Sequence, residues 1–438
     1  MKREFSRREF LKLTAASLVG LPWLARASSE SPAAVPDISA GFEKAGLPFG
    51  MIVGDVTPHG AIVWLGAYGE TEVSVHYGTD PSLRTFQATS LVRVSETADF
   101  TAKIPIEGLE SGTAYFYRAV VSGKSPSPIS RFVTAPKPSE TVSVRFAFSG
   151  DSREWFQPFA ILDSVRLSRP DFFIHLGDTI YADRDWIATE LGEFWAKYRA
   201  NRKDPPTRRL LAETSLYVIW DDHEVENDYY GEHPLAKIGQ KAFFDYWPVR
   251  QDPGDPYRLY RSFRWGKAAE IFLLDTRQHR RPGEGTMLGQ KQKEWLLRGL
   301  SSSDAWFKFI ATSVPFTAPG SDRWGGYPKE RREILKFIGE QNIPGVVFIA
   351  ADVHYAAVSR VPESRGLREV MVGPIAAPLN WLARGTAERF EFFSSRTYSY
   401  GLVSIDGKGK PPVAEVSILD ELNRPLYKTK VDLSPGDG

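Results

Sequence analysis

The chain has 438 residues, 42% hydrophobic and 25% charged, with a formal net charge of +1. That balance excludes extensive disorder, the length calls for more than one core, and with no basic run nothing marks a nucleic-acid surface. Cysteine is absent, which removes disulfides, thiolate metal sites and cysteine nucleophiles together.

The first 27 residues read as an address. Ser6-Arg7-Arg8-Glu9-Phe10-Leu11-Lys12 matches the twin-arginine export motif, Leu13 to Leu24 is an apolar stretch too short to span a membrane, and Ala25-Arg26-Ala27 supplies small residues for cleavage. The expected partner is therefore the twin-arginine translocation machinery, and the expected destination is the periplasm or the exterior, with no stable membrane span left after cleavage near Ala27. Removing residues 1–27 takes six basic and two acidic residues, leaving 49 against 52 and a charge of −3. Residues 28–46 are small and polar and read as a linker.

From 47 to 136 the texture is all-β. Ala61–Trp64, Glu72–Tyr77 and Ala114–Val121 are strand-like runs separated by turn glycines at 66, 69, 78 and 112. Leu109 and Tyr115 flank a turn at the spacing that resembles the tyrosine corner of fibronectin type III sandwiches. No acids or histidines cluster here, so this stretch is expected to orient or pack rather than react.

After a Pro-containing hinge at 135–139, strands and helices alternate through a domain expected over 142–433. Strands are predicted at Val144–Ser149, Phe172–Leu176, Leu216–Trp220, Ala269–Leu274, Phe307–Ser313 and Val346–Ala351. Helices are expected near 156–168, 186–199, 289–300 and 329–341, and short strands return after Arg368. Four of these strands run straight into acids: Asp151, then Asp178 with Tyr181 and Asp183, then Asp221-Asp222-His223-Glu224, then Asp352-Val353-His354. Ligand crevices in open α/β sheets lie at the carboxyl ends of the strands. Carboxylates gathered there without compensation would cost many kcal/mol, so the pattern calls for cations. Oxygen donors with one or two imidazoles suit hard or borderline ions, and Asp178 is placed to bridge two of them. His175, inside an apolar strand, reads as a hydrogen-bonded core histidine, and Tyr229, Tyr230, Phe243, Phe244, Tyr246 and Trp247 read as core.

Gly177-Asp178-x-x-Tyr181, Asp222-His223-Glu224 and Asp352-Val353-His354 together resemble the calcineurin-like metallophosphoesterases. Trp220 to Val225 with Asn227, and Asp275-Thr-Arg-Gln-His279, resemble the PhoD-type alkaline phosphatases in particular. The resemblance implies a four-layer αββα sandwich behind the fibronectin-like domain, and an exported enzyme acting on phosphate monoesters or diesters. It implies a site holding iron(III) with calcium, and hydroxide attacking phosphorus in line. By motif position Asp151, Asp178, Tyr181, Asp222, Asp352 and His354 take the ligand roles and His223 lies beside the leaving group. Arg153 and Arg277 are the candidates for gripping phosphate through their guanidinium forks. The PhoD-type pattern puts a cysteine ligand near the end of the first strand, where this chain has Ser149-Gly150-Asp151-Ser152-Arg153. That departure resembles purple acid phosphatases in part and leaves zinc or manganese as alternative ions. Two other readings stand beside the hydrolase: an exported metal- or phosphate-binding protein without turnover, and a phospholipase of the same fold.

Overall fold

The structure, a computed structural model, describes residues 38–364 and 366–433. The expected signal peptide, and residues 28–37 of the expected linker, lie outside them. The described part of that linker carries a short helix, α1 (Ser39–Lys44), whose Phe42 is buried in the main core.

Among the described residues eight strands precede residue 136: β1 (Met51–Gly54), β2 (Gly60–Gly66), β3 (Thr71–Gly78), β4 (Gln87–Ala88), β5 (Val92–Val94), β6 (Thr101–Glu107), β7 (Ala114–Val121) and β8 (Ser130–Val133). The backbone N–H of Glu110 donates to Tyr115 Oη at 3.0 Å, the bond of a tyrosine corner. These strands divide between two sheets. β3, β4, β5, β7 and β8 form one, while β1, β2 and β6 extend a nine-stranded sheet whose other members come from the later segment, order β21-β20-β19-β9-β10-β11-β1-β2-β6. The joint is a parallel pairing of Gly54 with Leu216. The segment expected to be a separate sandwich thus shares a continuous sheet with the α/β segment.

The remaining members of that sheet are β9 (Val144–Ser149), β10 (Phe172–Leu176), β11 (Ser215–Ile219), β19 (Ser399–Ile405), β20 (Ala414–Asp420) and β21 (Pro425–Val431). Helices α2 (Ile161–Leu167), α3 (Leu191–Arg202), α4 (Pro205–Glu213) and α5 (Ala236–Tyr246) lie along the chain between β9 and β12 (Arg261–Trp265). A second, seven-stranded sheet has the order β12-β13-β14-β15-β17-β16-β18, from β12, β13 (Ala269–Leu273), β14 (Phe307–Ala311), β15 (Val346–Ala350), β16 (Ala356–Arg360), β17 (Arg368–Met371) and β18 (Phe392–Ser394). Helices α6 (Gly289–Ser302) and α7 (Pro328–Glu340) connect its parallel strands.

The period-2 alternation of strand side chains explains the layering. In β10, Phe172, Ile174 and Leu176 face a core shared with Trp265, Ile271, Phe309 and Ile349 of the second sheet. Phe173 faces the opposite way, into a core with Leu162, Val165, Phe194 and Leu210 of the helices. Phe146 meets Phe309 edge-on at 4.9 Å across the inter-sheet core. On the far side of the second sheet, Phe272, Ile310 and Phe348 pack with Leu296, Leu300, Ile334 and Ile338. The result is the expected αββα order, and strands covered on both faces had to read as uninterrupted apolar runs. The aromatic group around α5 is core as expected, with Tyr230 the exception at 40% exposure. Among the described residues no helix is long and apolar enough to cross a membrane.

Candidate metal centre

β9, β10 and β11 are parallel neighbours in the first sheet, and β13, β14 and β15 are parallel neighbours in the second. Their carboxyl ends therefore open in register, and the acids just past them meet. The turns are tight. Gly177 has φ +104°, and a Cβ there would sit 2.7 Å from Asp221 Cβ, while one at Gly150 would sit 2.7 Å from Ala351 Cβ of the opposite sheet. Asp151, Asp178, Asp352 and His354 all have left-handed φ, between 53° and 68°, a conformation that costs on the order of 1 kcal/mol or more for each non-glycine residue and is held by the packing around it.

Four overlapping groups of donors result among the described residues: Asp151, Asp178 and His354; Asp178, Asp222 and His223; Asp221, Asp222 and Asp352; and Asp222, Asp228 and Asp322, with the donor atoms in each lying within 4.8 Å of one another. Asp178 belongs to the first two and Asp222 to the last three. Tyr181 Oη is 3.1 Å from His354 Nε2, and His354 Nδ1 is 2.8 Å from the Pro378 carbonyl, an arrangement that leaves Nε2 facing the acids. Asp151 Oδ2 and Asp221 Oδ2 are buried without a hydrogen-bond partner. Orphaned carboxylate oxygens inside a ring of acids are the condition a cation relieves, so the donor set fits the implied metals.

The electrostatics agree. Burial, reinforced by neighbouring carboxylates, pushes Asp151 and Asp178 well above the ordinary carboxylate range, and burial takes Asp221 up to about 8 despite Arg277. Burial also drives Asp352 up, against the pull of Arg323. Asp222 is the counterweight: burial opposes its charge, but Arg277 and His223 outweigh that and hold it well below the ordinary value. Burial lowers His354 to about 4, which keeps its imidazole neutral and able to donate a lone pair.

The raised carboxyls fix the sign of a pH effect. Between the ordinary aspartate value of 3.8 and about 8, the folded metal-free protein keeps protons that the unfolded chain has released. Its stability therefore falls as pH rises through that window. The metal-free protein is expected to melt at least about 5 °C lower at pH 8 than at pH 5.5, and cation loading is expected to release protons and reverse the order. Calorimetric melts with and without chelator check both.

Glu224 holds the loops in place. Completely buried, it accepts hydrogen bonds from Thr179 N (2.6 Å), Thr179 Oγ1 (2.6 Å), Asp178 N (3.2 Å) and Asp221 N (2.8 Å). Glu224→Ala strands three buried N–H groups, each worth about 1–3 kcal/mol. The expected loss is about 3–5 kcal/mol in denaturant unfolding, with weaker metal retention.

His223 stacks on Tyr181 with ring centroids 4.3 Å apart, and its Nδ1 is 2.7 Å from Asp183 Oδ1. Burial works against its charged form, but Asp222 and Asp183 prevail and raise its pKa above the ordinary value. The backbone N–H of Asn227 donates to the other oxygen of Asp183, bracing it. Asp183 stood in view in the sequence, but only the fold shows that it orients His223.

The two arginines part company. Arg153, 20% exposed, lies beside the Tyr181 ring with its fork on Asp185 (Nε 3.0 Å, Nη2 2.5 Å). Arg277 is not a free phosphate grip. It is wholly buried, with Nε on Asp221 at 2.6 Å and its Nη atoms on Asp322 at 2.7 and 3.1 Å, so it neutralises the acids from beneath. Arg323, which sequence reasoning missed, stands at the rim one-third exposed and donates to Asp352 Oδ2 at 2.6 Å. It sits far along the loop after β14 rather than directly past a strand end, so no local signal marked it. His175 is the expected core histidine, Nε2 lying 3.2 Å from Ser152 Oγ, and burial lowers it to about 3. Ser149, at the end of β9, is buried and donates to the Ser399 carbonyl, away from any ligand role.

Two facing sheets with acids at their carboxyl ends define the fold of the metallophosphoesterases. The same architecture occurs in a structure of PhoD (TM-score 0.78, 20% identity, 89% of this chain and 94% of that one). It also occurs in a purple acid phosphatase from yellow lupin (Lupinus luteus) seeds (TM-score 0.64, 14% identity, 88% of this chain and 75% of that one). The family profile of the PhoD-like phosphatases matches residues 146–391, and that of their N-terminal domain matches residues 31–136. The chain belongs to the PhoD-like phosphatase family. It is 26% identical over 314 residues to alkaline phosphatase D of Bacillus subtilis (strain 168), a match spanning 59% of this chain and 54% of that protein.

Proposed function

We propose that this protein is an exported, metal-dependent phosphoric ester hydrolase acting on monoesters or diesters, delivered by the twin-arginine route and released near Ala27 into the periplasm or beyond. The observation that carries the reading is the convergence of Asp151, Asp178, Asp222, Asp352 and His354 from four strand ends around unpartnered buried carboxylate oxygens. Asp151, Asp178, Asp222 and Asp352 with His354 and Tyr181 would hold the cations, iron(III) with calcium as first choice and zinc or manganese as alternatives. Bound there, such ions supply positive charge to phosphate oxygens and lower the pKa of a water from 15.7 to roughly 7.

The chain's own groups do the rest. Arg153 and Arg323, partly exposed and with guanidinium N–H groups left over beyond Asp185 and Asp352, orient the phosphate; phosphoryl transfer asks mainly for positioning and neutralised charge. His223, held by Asp183 with its proton retained, protonates the leaving oxygen as the P–O ester bond breaks and the water oxygen takes its place on phosphorus. The absence of a cysteine ligand leaves Asp151 to serve at the end of β9.

The test is release of nitrophenol from an aryl phosphate and from an aryl phosphodiester by metal-replete mature protein. Turnover of either supports the reading. Tight metal retention with release from neither supports a binding protein instead.

A further inference from the structure

Beside the metal centre the loop after β14, the stretch from Val353 to Pro362 and the segment after β17 together line an open cavity of 350 Å³, a size suited to a small organic group. Its wall is continuous with the site. Arg323 reaches from it to Asp352, Val353 lies between Asp352 and His354, and Asn380 donates through its backbone N–H to the His354 carbonyl at 3.0 Å. One side is apolar and braced: Tyr355 packs on Phe390 and Phe393 with ring centroids 5.8 and 5.0 Å apart. Arg323, Arg360 and Arg389 also line it, and no carboxylate does. Arg323 is engaged by Asp352 and Arg360 by Glu391, whereas Arg389 has no carboxylate partner among the described residues.

We propose that this cavity receives the leaving group, and that it selects esters whose alcohol half joins an apolar body to a second negative charge. The inference rests on the hydrolase reading. A phosphate seated against the acids directs its ester oxygen toward one of the flanking surfaces, and this one is concave. Tyr355 and Phe390 accept a flat or aliphatic body, while the guanidinium of Arg389, with no carboxylate partner among the described residues, offers its charge to an anionic substituent. An uncharged alcohol fills the same space without using Arg389.

Binding of the leaving alcohol alone tests this without relying on turnover. Metal-replete full-length mature protein is titrated with 4-hydroxybenzoate and with phenol by ligand-observed NMR, beside Arg389→Gln and Arg389→Glu, with melting temperatures confirming that both variants fold. The expected result is about tenfold tighter binding of 4-hydroxybenzoate, a preference lost in R389Q and reversed in R389E. Equal binding of the two alcohols, or a preference that survives both substitutions, overturns the proposal. Phenyl phosphate hydrolysis by the same wild-type sample reports separately on the hydrolase reading.

Discussion

Asp178→Asn is expected to lower kcat for aryl phosphate hydrolysis by at least about 10³-fold, equivalent to about 4 kcal/mol of transition-state stabilisation, and to cut the bound metal. The reason is its place in the fold. Asp178 comes just after β10, the strand flanked by β9 and β11, and its carboxylate belongs both to the group with Asp151 and His354 and to the group with Asp222 and His223. It is the donor common to those two groups that comes from β10, and among the other acids at the strand ends Asp221 gives one oxygen to Arg277 and Ser313 and Asp352 gives one to Arg323. The substitution is nearly isosteric and the backbone N–H of residue 178 keeps its bond to Glu224, so loss of activity with a melting temperature of the metal-free protein no lower than that of the wild type would locate the effect in the cations. Steady-state kinetics and elemental analysis of the same preparation read both quantities.

His223→Asn carries the second large effect, a loss of about 10²–10⁴-fold in kcat, the range that a positioned general acid contributes. The loss is expected to grow as the leaving alcohol becomes more basic, since a nitrophenolate departs with little help and an alkoxide does not. Asp183→Asn separates orientation from proton supply. Because Asp183 helps to raise the His223 pKa, removing its charge lowers that pKa. The protonated acid is then lost sooner as pH rises, and the alkaline limb of the kcat profile moves to lower pH. A limb that stays in place would assign His223 to ground-state binding instead.

Much of this site stood in plain sight because of how buried parallel strands are built. A strand covered on both faces has no choice but an apolar run, and an acid directly after such a run is at the ligand end of the sheet; Asp151, Asp178, Asp222 and Asp352 are legible for that reason. β9 and β10 run over the expected residues. What the chain concealed depends on distant segments. Arg277 looks like a phosphate ligand until Asp322, which closes on it from beyond β14, joins Asp221 in filling its fork. Arg323 and Asp183 gain their roles only through partners 29 and 40 residues away in sequence. The division of residues 47–136 between two sheets comes from the pairing of Gly54 with Leu216, which no local pattern encodes. One local signal does mark a helix that the expected elements lack: Asp204 caps α4, accepting from Thr207 N ahead of a proline at the first helical position, the ordinary start of a helix.

Each of these expectations depends on cations sitting where carboxyl groups from opposite sheets leave oxygens unsatisfied. The most direct measurement is the metal content of mature protein equilibrated with iron and calcium and then desalted, with the Asp178→Asn variant treated identically. Two or more tightly held equivalents per wild-type chain, falling in the variant together with phosphate-ester hydrolysis, is the predicted result. Metal-free wild-type protein that hydrolyses phosphate esters at full rate in the presence of chelator would contradict it.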